Sequence, residues 1–248
     1  MRAGSSLLGR QHLATTGTDA RDRPVASLGA VALPFLPYTV VGIVHLVAIA
    51  VGADGLVAVT KPLLMPALLL ALLVALPSAA RRSETALWAG LGILLGWLGD
   101  VSLMDAGAGF VIGLGFFLLG HVAYVVLFVR RMRTGRPRWW SAGYALWFVA
   151  LLVVLAPHAG ALLVPLALYG LSLVALGVTG SACSPWIAAG VACFVVSDSL
   201  LGLDRFLPGF ALPQVDLAIM VTYIAAQGLI AFGVVRRARA VALVPALV

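Results

Sequence analysis

The sequence predicts an all-α, polytopic membrane protein: eight transmembrane helices in one bundle, with both termini in the cytoplasm. Three observations predict it. The first is composition. The 248 residues are 62% hydrophobic and only 10% charged, with a mean hydropathy of +1.11, whereas soluble domains are about 45–50% apolar and about 25% charged. The second is the length of the apolar runs, which show no two-residue alternation and so read as helices rather than strands. The third is the distribution of arginine, which falls in alternate loops. At roughly 30 residues per helix and loop, the chain holds about eight spans and no soluble domain.

The elements follow in order. Residues 1–30 form a basic tail with Arg2, Arg10, Arg21 and Arg23. The apolar run comes late and lacks a small-residue cleavage site, so the tail reads as cytoplasmic rather than as a removed signal. The membrane domain occupies 31–236, with spans near 31–53, 60–78, 85–104, 109–129, 139–156, 160–179, 184–203 and 213–235. The second span opens at Lys61 and carries Pro62, Pro66 and Pro77, which membrane helices tolerate. Residues 237–248 form a C-terminal tail. With eight spans, fourteen arginines fall on one side: the four of the tail, Arg81 and Arg82, the five from Arg130 to Arg138, and Arg236, Arg237 and Arg239. Lys61 and Arg205 fall toward the other. The positive-inside rule makes the fourteen cytoplasmic. Trp139 and Trp140, beside the arginine-rich loop, are placed as interfacial anchors.

The pI of about 10.3 is not a nucleic-acid footprint, because the charge sits in short loops between apolar runs. Cys183 and Cys193 form no C-x-x-C pair, so neither a disulfide framework nor a zinc site is supported. The abundance of Ala, Gly, Val and Arg beside a single Lys suits a bacterial source, and hence an inner membrane. A short repeat links Gly99-Asp100-Val101-Ser102-Leu103 to Ser197-Asp198-Ser199-Leu200, four helices apart. It fits a parallel duplication of a four-helix unit, or chance.

Ionisable residues inside spans are costly, roughly 2.5–3.5 kcal/mol near the bilayer centre, and point to function. Asp100 and Asp198 lie equally far into two helices of the same direction, roughly 20 Å above the cytoplasmic end. Facing each other in low dielectric they cannot both ionise easily, so they would divide into an acid and a base. The alternative is two separate residues, each snorkelling or bonded to Ser102 or Ser197. His121 lies mid-membrane beside a stripe of Gly113, Phe117, Gly120 and Tyr124; the glycines would admit a neighbouring helix and the aromatics would line an acyl pocket. The alternative is a hydrogen-bonded core histidine. Asp216, Met220, Tyr223 and Gln227 share one face of the last span, for ligand contact or for interhelical hydrogen bonding. Lys61 would bind a lipid phosphate, hold a carboxylate or snorkel. His45 and Tyr169 carry less weight. No Gly-x-Ser-x-Gly elbow, His-Glu-x-x-His or Walker loop is present.

Thr60-Lys61-Pro62-Leu63-Leu64-Met65-Pro66, Gly99-Asp100-x-x-Leu103-Met104, Phe110-x-x-Gly113 with Phe117, His121 and Tyr124, Ser197-Asp198-Ser199-Leu200 with Phe206, and Tyr223-x-x-Ala226-Gln227 occur in this order over roughly 35–235. Together they resemble the YhhN family of membrane proteins, which includes the animal lysoplasmalogenases. The resemblance implies a membrane hydrolase that cleaves the vinyl ether of a lysophospholipid to a fatty aldehyde and a glycerophospho-alcohol. It carries polar positions onto Lys61, Asp100, His121, Tyr124, Asp198, Tyr223 and Gln227. Vinyl ether hydrolysis needs a proton for the β-carbon and a carboxylate to stabilise the cation and activate water. Asp100 and Asp198 would supply these, with His121 as a third catalytic group. Tyr124, Tyr223 and Gln227 would orient the water and the ether oxygen, and Lys61 would meet the phosphate. No metal or organic cofactor is implied, although two Asp and a His suit one ion. The expected partners are the lysophospholipid and the surrounding lipids, with no nucleic acid. The competing class is a small lipid or proton-coupled transporter using the same carboxylates.

Overall fold

The computed structural model describes residues 28–105 and 109–243. Most of the basic tail, and the last residues of the C-terminal one, therefore lie outside the described residues. The described chain is helical without strands: α1 (Leu28–Ala32), α2 (Leu36–Ala50), α3 (Asp54–Ala75), α4 (Glu84–Ser102), α5 (Gly109–Leu127), α6 (Ala142–Ala159), α7 (Leu163–Ser181), α8 (Pro185–Phe206) and α9 (Val215–Leu243). Short 3-10 turns join several of them, and a π turn over Phe128–Met132 extends α5. Seven described stretches are long and apolar enough to cross a membrane. The longest, Trp139–Ser181, has 43 residues and contains both α6 and α7. It breaks at Gly160, whose φ of +52° suits glycine. Beyond the break the chain doubles back. Gly170 lies against Phe148 and Gly177 against Tyr144, an antiparallel register.

Two hairpins form the centre, and glycine sets their spacing. A Cβ at Gly92 would stand 2.6 Å from the Tyr124 ring, and one at Gly99 would stand 2.7 Å from Phe117. Gly113 and Gly120 of α5 lie against the carbonyls of Gly99 and Gly92, where a Cβ would stand at 3.2 and 3.4 Å. The face of α5 expected to form an acyl pocket is thus filled by α4: its aromatic rings occupy the space of the missing side chains. The α8–α9 hairpin repeats the device, with Gly190 against Ile230 and Gly233 against Ile187. Gly92 precedes Asp100 by the same interval as Gly190 precedes Asp198, so the two hairpins carry their carboxylates in matching places.

The second expected span differs from the observed helix. α3 begins at Asp54 rather than near 60, so Lys61 sits two turns inside instead of at the opening. Its prolines do not stop it. Pro66 has no N–H to give the Pro62 carbonyl one turn earlier, and Trp97 Nε1 of α4 donates to that carbonyl instead, at 2.9 Å. This bond sets Lys61 at the height of Asp100. At the other end of α3 the carbonyls are met by arginine: Arg81 donates to Val74 and Leu76, and Arg239 of α9 to Ala75. Some of the arginines that orient the chain therefore also cap a helix C-terminus. Trp139 and Trp140 are exposed, as interfacial anchors would be.

Candidate active site

A cavity of about 320 Å³ lies between α2, α3, α4, α5, α8 and α9 at one end of the bundle. Asp54 and Asp216, both exposed, stand at its mouth. Lys61, His45, Asp100, Asp198 and Tyr223 line it further in. Six helices thus converge on one polar pocket inside an apolar fold. Asp100 is 3% exposed and the Asp198 side chain 7%, so each carboxylate needs partners from the protein.

The carboxylates are not bonded to the neighbouring serines. Ser102 Oγ donates to Leu98 O at 2.7 Å, and Ser197 Oγ to Ile219 O at 3.1 Å. Each carboxylate instead takes a tyrosine. Tyr223 Oη donates to Asp100 Oδ2 at 2.9 Å, and Tyr169 Oη to Asp198 Oδ2 at 2.5 Å. The two aspartates line one cavity without touching, each fixed by a different helix.

Behind Asp100 the hydrogen bonds run in one direction. Tyr124 Oη donates to Gln227 Oε1 at 2.6 Å, Gln227 Nε2 contacts Tyr223 Oη at 3.4 Å, and Tyr223 Oη donates to Asp100. Every group passes a donor toward the carboxylate, and aligned donors polarise one another. Lys61 stands on the same cavity, half-buried, with no hydrogen bond or ion pair to a described residue. This surrounding suits an ionised Asp100. Tyr124 and Gln227 do not reach the cavity, so of the expected substrate-orienting groups only Tyr223 and Lys61 line it.

Behind Asp198 the logic is reversed. Ser172 Oγ gives its hydrogen to Tyr169 O at 2.6 Å. The 3.0 Å contact between His121 Nδ1 and Ser172 Oγ is therefore donated by the imidazole. That leaves His121 Nε2, which has no hydrogen-bond partner and lies 3.7 Å from Asp198 Oδ2. An imidazole lone pair facing a carboxylate oxygen, here one that already accepts from Tyr169, is unfavourable. One proton held by the pair makes the contact attractive. Phe194 and Tyr169 pack on the imidazole at centroid distances of 4.9 and 5.1 Å, keeping it out of the cavity and beside the carboxylate.

His45 is completely buried, and the same reasoning fixes its tautomer. Thr60 Oγ1 donates to Leu56 O at 2.7 Å, so His45 Nδ1 donates to Thr60 at 2.8 Å. Its Nε2 is a buried, unpartnered acceptor on a residue that lines the cavity. Tyr169 and His45 thus stand nearer the centre than their sequence signal suggests. Each is a lone polar residue in an apolar run, and that rarity was the available clue. Among the described residues no group of three or more His, Cys, Asp or Glu side chains is placed to hold a metal ion.

No solved structure matches the chain. Two curated proteins named lysoplasmalogenase, from Mycobacterium bovis (strain ATCC BAA-935 / AF2122/97) and Mycobacterium tuberculosis (strain CDC 1551 / Oshkosh), are each 33% identical over 136 residues. The match spans half of this chain and half the length of each relative. The profile of the YhhN family matches residues 56–234, which take in every charged group of the inner cavity. The chain therefore belongs to the YhhN family.

Proposed function

We propose that this protein is a bacterial inner-membrane hydrolase that cleaves the vinyl ether of lysoplasmalogen-type lysophospholipids. The observation that carries this reading is the pair of buried carboxylates on one cavity, Asp100 at the end of a line of donors and Asp198 beside the open Nε2 of His121. That is the division of labour the reaction needs.

The steps follow from it. Asp198, with His121 behind it, gives its proton to the β-carbon of the vinyl ether, and the α-carbon becomes an oxocarbenium ion. Asp100 takes a proton from water as the water oxygen bonds to that carbon. The hemiacetal then loses its hydroxyl proton to Asp198, and Asp100 returns its own to the departing glycerol oxygen. A fatty aldehyde and a glycerophospho-alcohol leave, and both carboxylates are reset. Lys61 meets the phosphate. Tyr223 and Tyr169 hold the two carboxylates in place, with Tyr124 and Gln227 steadying the first.

The membrane frame belongs to the same proposal. α2 to α9 cross eight times, with α6 and α7 as separate crossings, and both termini are cytoplasmic. The cavity then opens on the opposite face. A C-terminal reporter active only in the periplasm would refute this frame. The chemistry is tested by aldehyde release from a lysoplasmalogen by purified protein in detergent. A hydrolase releases aldehyde without any gradient, whereas a carrier releases none.

A further inference from the structure

We propose that an apolar groove along α6, α7 and α8 seats the hydrocarbon chain of the substrate, with the scissile junction at Asp198. This rests on the vinyl ether reading and adds to it where the chain lies and which carboxylate meets it. Two hollows form the groove. The first, about 40 Å³, touches Asp198 and Leu201, which also line the polar cavity. The second, about 20 Å³, continues it along α6 and α7, sharing Phe148, Leu151, Gly170 and Leu173 with the first. Leu151, Leu152 and Leu166 are half-buried, so the groove is open along the side that faces bilayer.

The position of Asp198 selects the occupant. It is the ionisable side chain common to the polar cavity and the groove. In a lysoplasmalogen the bond to be broken lies at the junction of head and chain. A head in the cavity and a chain in the groove put that junction at Asp198. The proton must reach the β-carbon, the second carbon of the chain, and Asp198 stands on the chain's side. Asp100 lines the polar cavity alone and stands on the water's side. The hollows are narrow and grip only the first carbons. The rest of the chain lies along α6 in the lipid, so chain length beyond the gripped carbons has little effect.

The test uses the whole protein in nanodiscs. The probe is a saturated 1-alkyl lysophosphoethanolamine, which cannot be hydrolysed, with a diazirine on an early chain carbon. Labelling on α6, α7 and α8 at Leu151, Leu152, Leu173 or Leu201, removed by excess unlabelled 1-alkyl lysolipid, is the expected result. Leu152→Trp should lower that competed labelling about tenfold by filling the groove, on the scale that overpacking costs. Leu152→Ala, which widens it, should keep the labelling, separating occlusion from misfolding. Labelling spread over bilayer-facing residues of every helix, and not competed, would overturn the groove. Competed groove labelling in a protein that releases no aldehyde would keep the groove and sink the hydrolysis.

Discussion

The two carboxylates occupy matching places on matching hairpins, and their surroundings differ. Asp100 ends a one-way line of donors that begins at Tyr124, and Lys61 shares its cavity. Asp198 faces the open nitrogen of His121. Across the hairpins Phe117 of α5 packs on Gly99, whereas Ser197 of α8 bonds the Ile219 carbonyl and Tyr223 packs on Phe194. Both carboxylates accept a tyrosine hydroxyl, and the difference lies behind it: Gln227 and Tyr124 behind Asp100, an imidazole beside Asp198. Matching intervals on the two hairpins place the carboxylates alike, and the side chains around each give them different surroundings.

The comparison can be broken most severely at the carboxylates. Asp100→Asn and Asp198→Asn should each lower vinyl ether hydrolysis at least about 100-fold, the low end for general acid–base catalysis. The double variant should be little worse than either single, because the two act as one unit. Near-wild-type aldehyde release by either single variant, at matched thermal stability, would remove that carboxylate from the mechanism.

The assignment within the pair is sharpened by pH and by infrared spectroscopy. Activity should fall as pH rises, when the proton leaves the Asp198–His121 pair, and fall as pH drops, when Asp100 takes one. His121→Gln should move the alkaline limb of kcat/KM and leave the acid limb, whereas Tyr223→Phe should do the converse. At neutral pH a carboxylic-acid carbonyl band should vanish in Asp198→Asn and persist in Asp100→Asn. The opposite pattern would exchange the roles.

Smaller effects are expected at the edges. Lys61→Ala should raise KM about tenfold and change kcat much less, since a phosphate contact binds ground and transition states alike. Unchanged kinetics would reduce Lys61 to a snorkelling side chain. Tyr124→Phe leaves Gln227 Oε1 buried without its donor and should cost about 1–3 kcal/mol of stability, read as a fall in Tm with most turnover kept.

The spans were legible because hydropathy acts over whole segments. Asp100, Asp198 and His121 were legible because charge inside a span is rare. Tyr223 and, more weakly, Tyr169 were legible for the same reason, but their pairing was not, because both are distant in sequence from the carboxylates they hold and only the packing of α7 and α9 selects them. The depth of Lys61 was hidden by Pro62 and Pro66, which read locally as a boundary. Only the indole of Trp97, from another helix, lets α3 run through them. The glycine face of α5, where an apolar seat was expected, is filled by α4, since a glycine stripe does not say whether a helix or a lipid will fill it. The tautomer of His121 was beyond sequence altogether, because it depends on where Ser172 sends its one hydrogen.

The glycine hairpins also decide traffic. Where α4 meets α5 and α8 meets α9 the backbones close on aromatic and branched side chains, and Tyr124, Phe128 and Ile187 are buried beneath the cavity. The pocket has a door at one end and a sealed floor at the other. Whatever polar molecule enters must leave by the same door, and a proton taken up there is returned to the same compartment. In this conformation the polar pocket communicates with one end of the bundle.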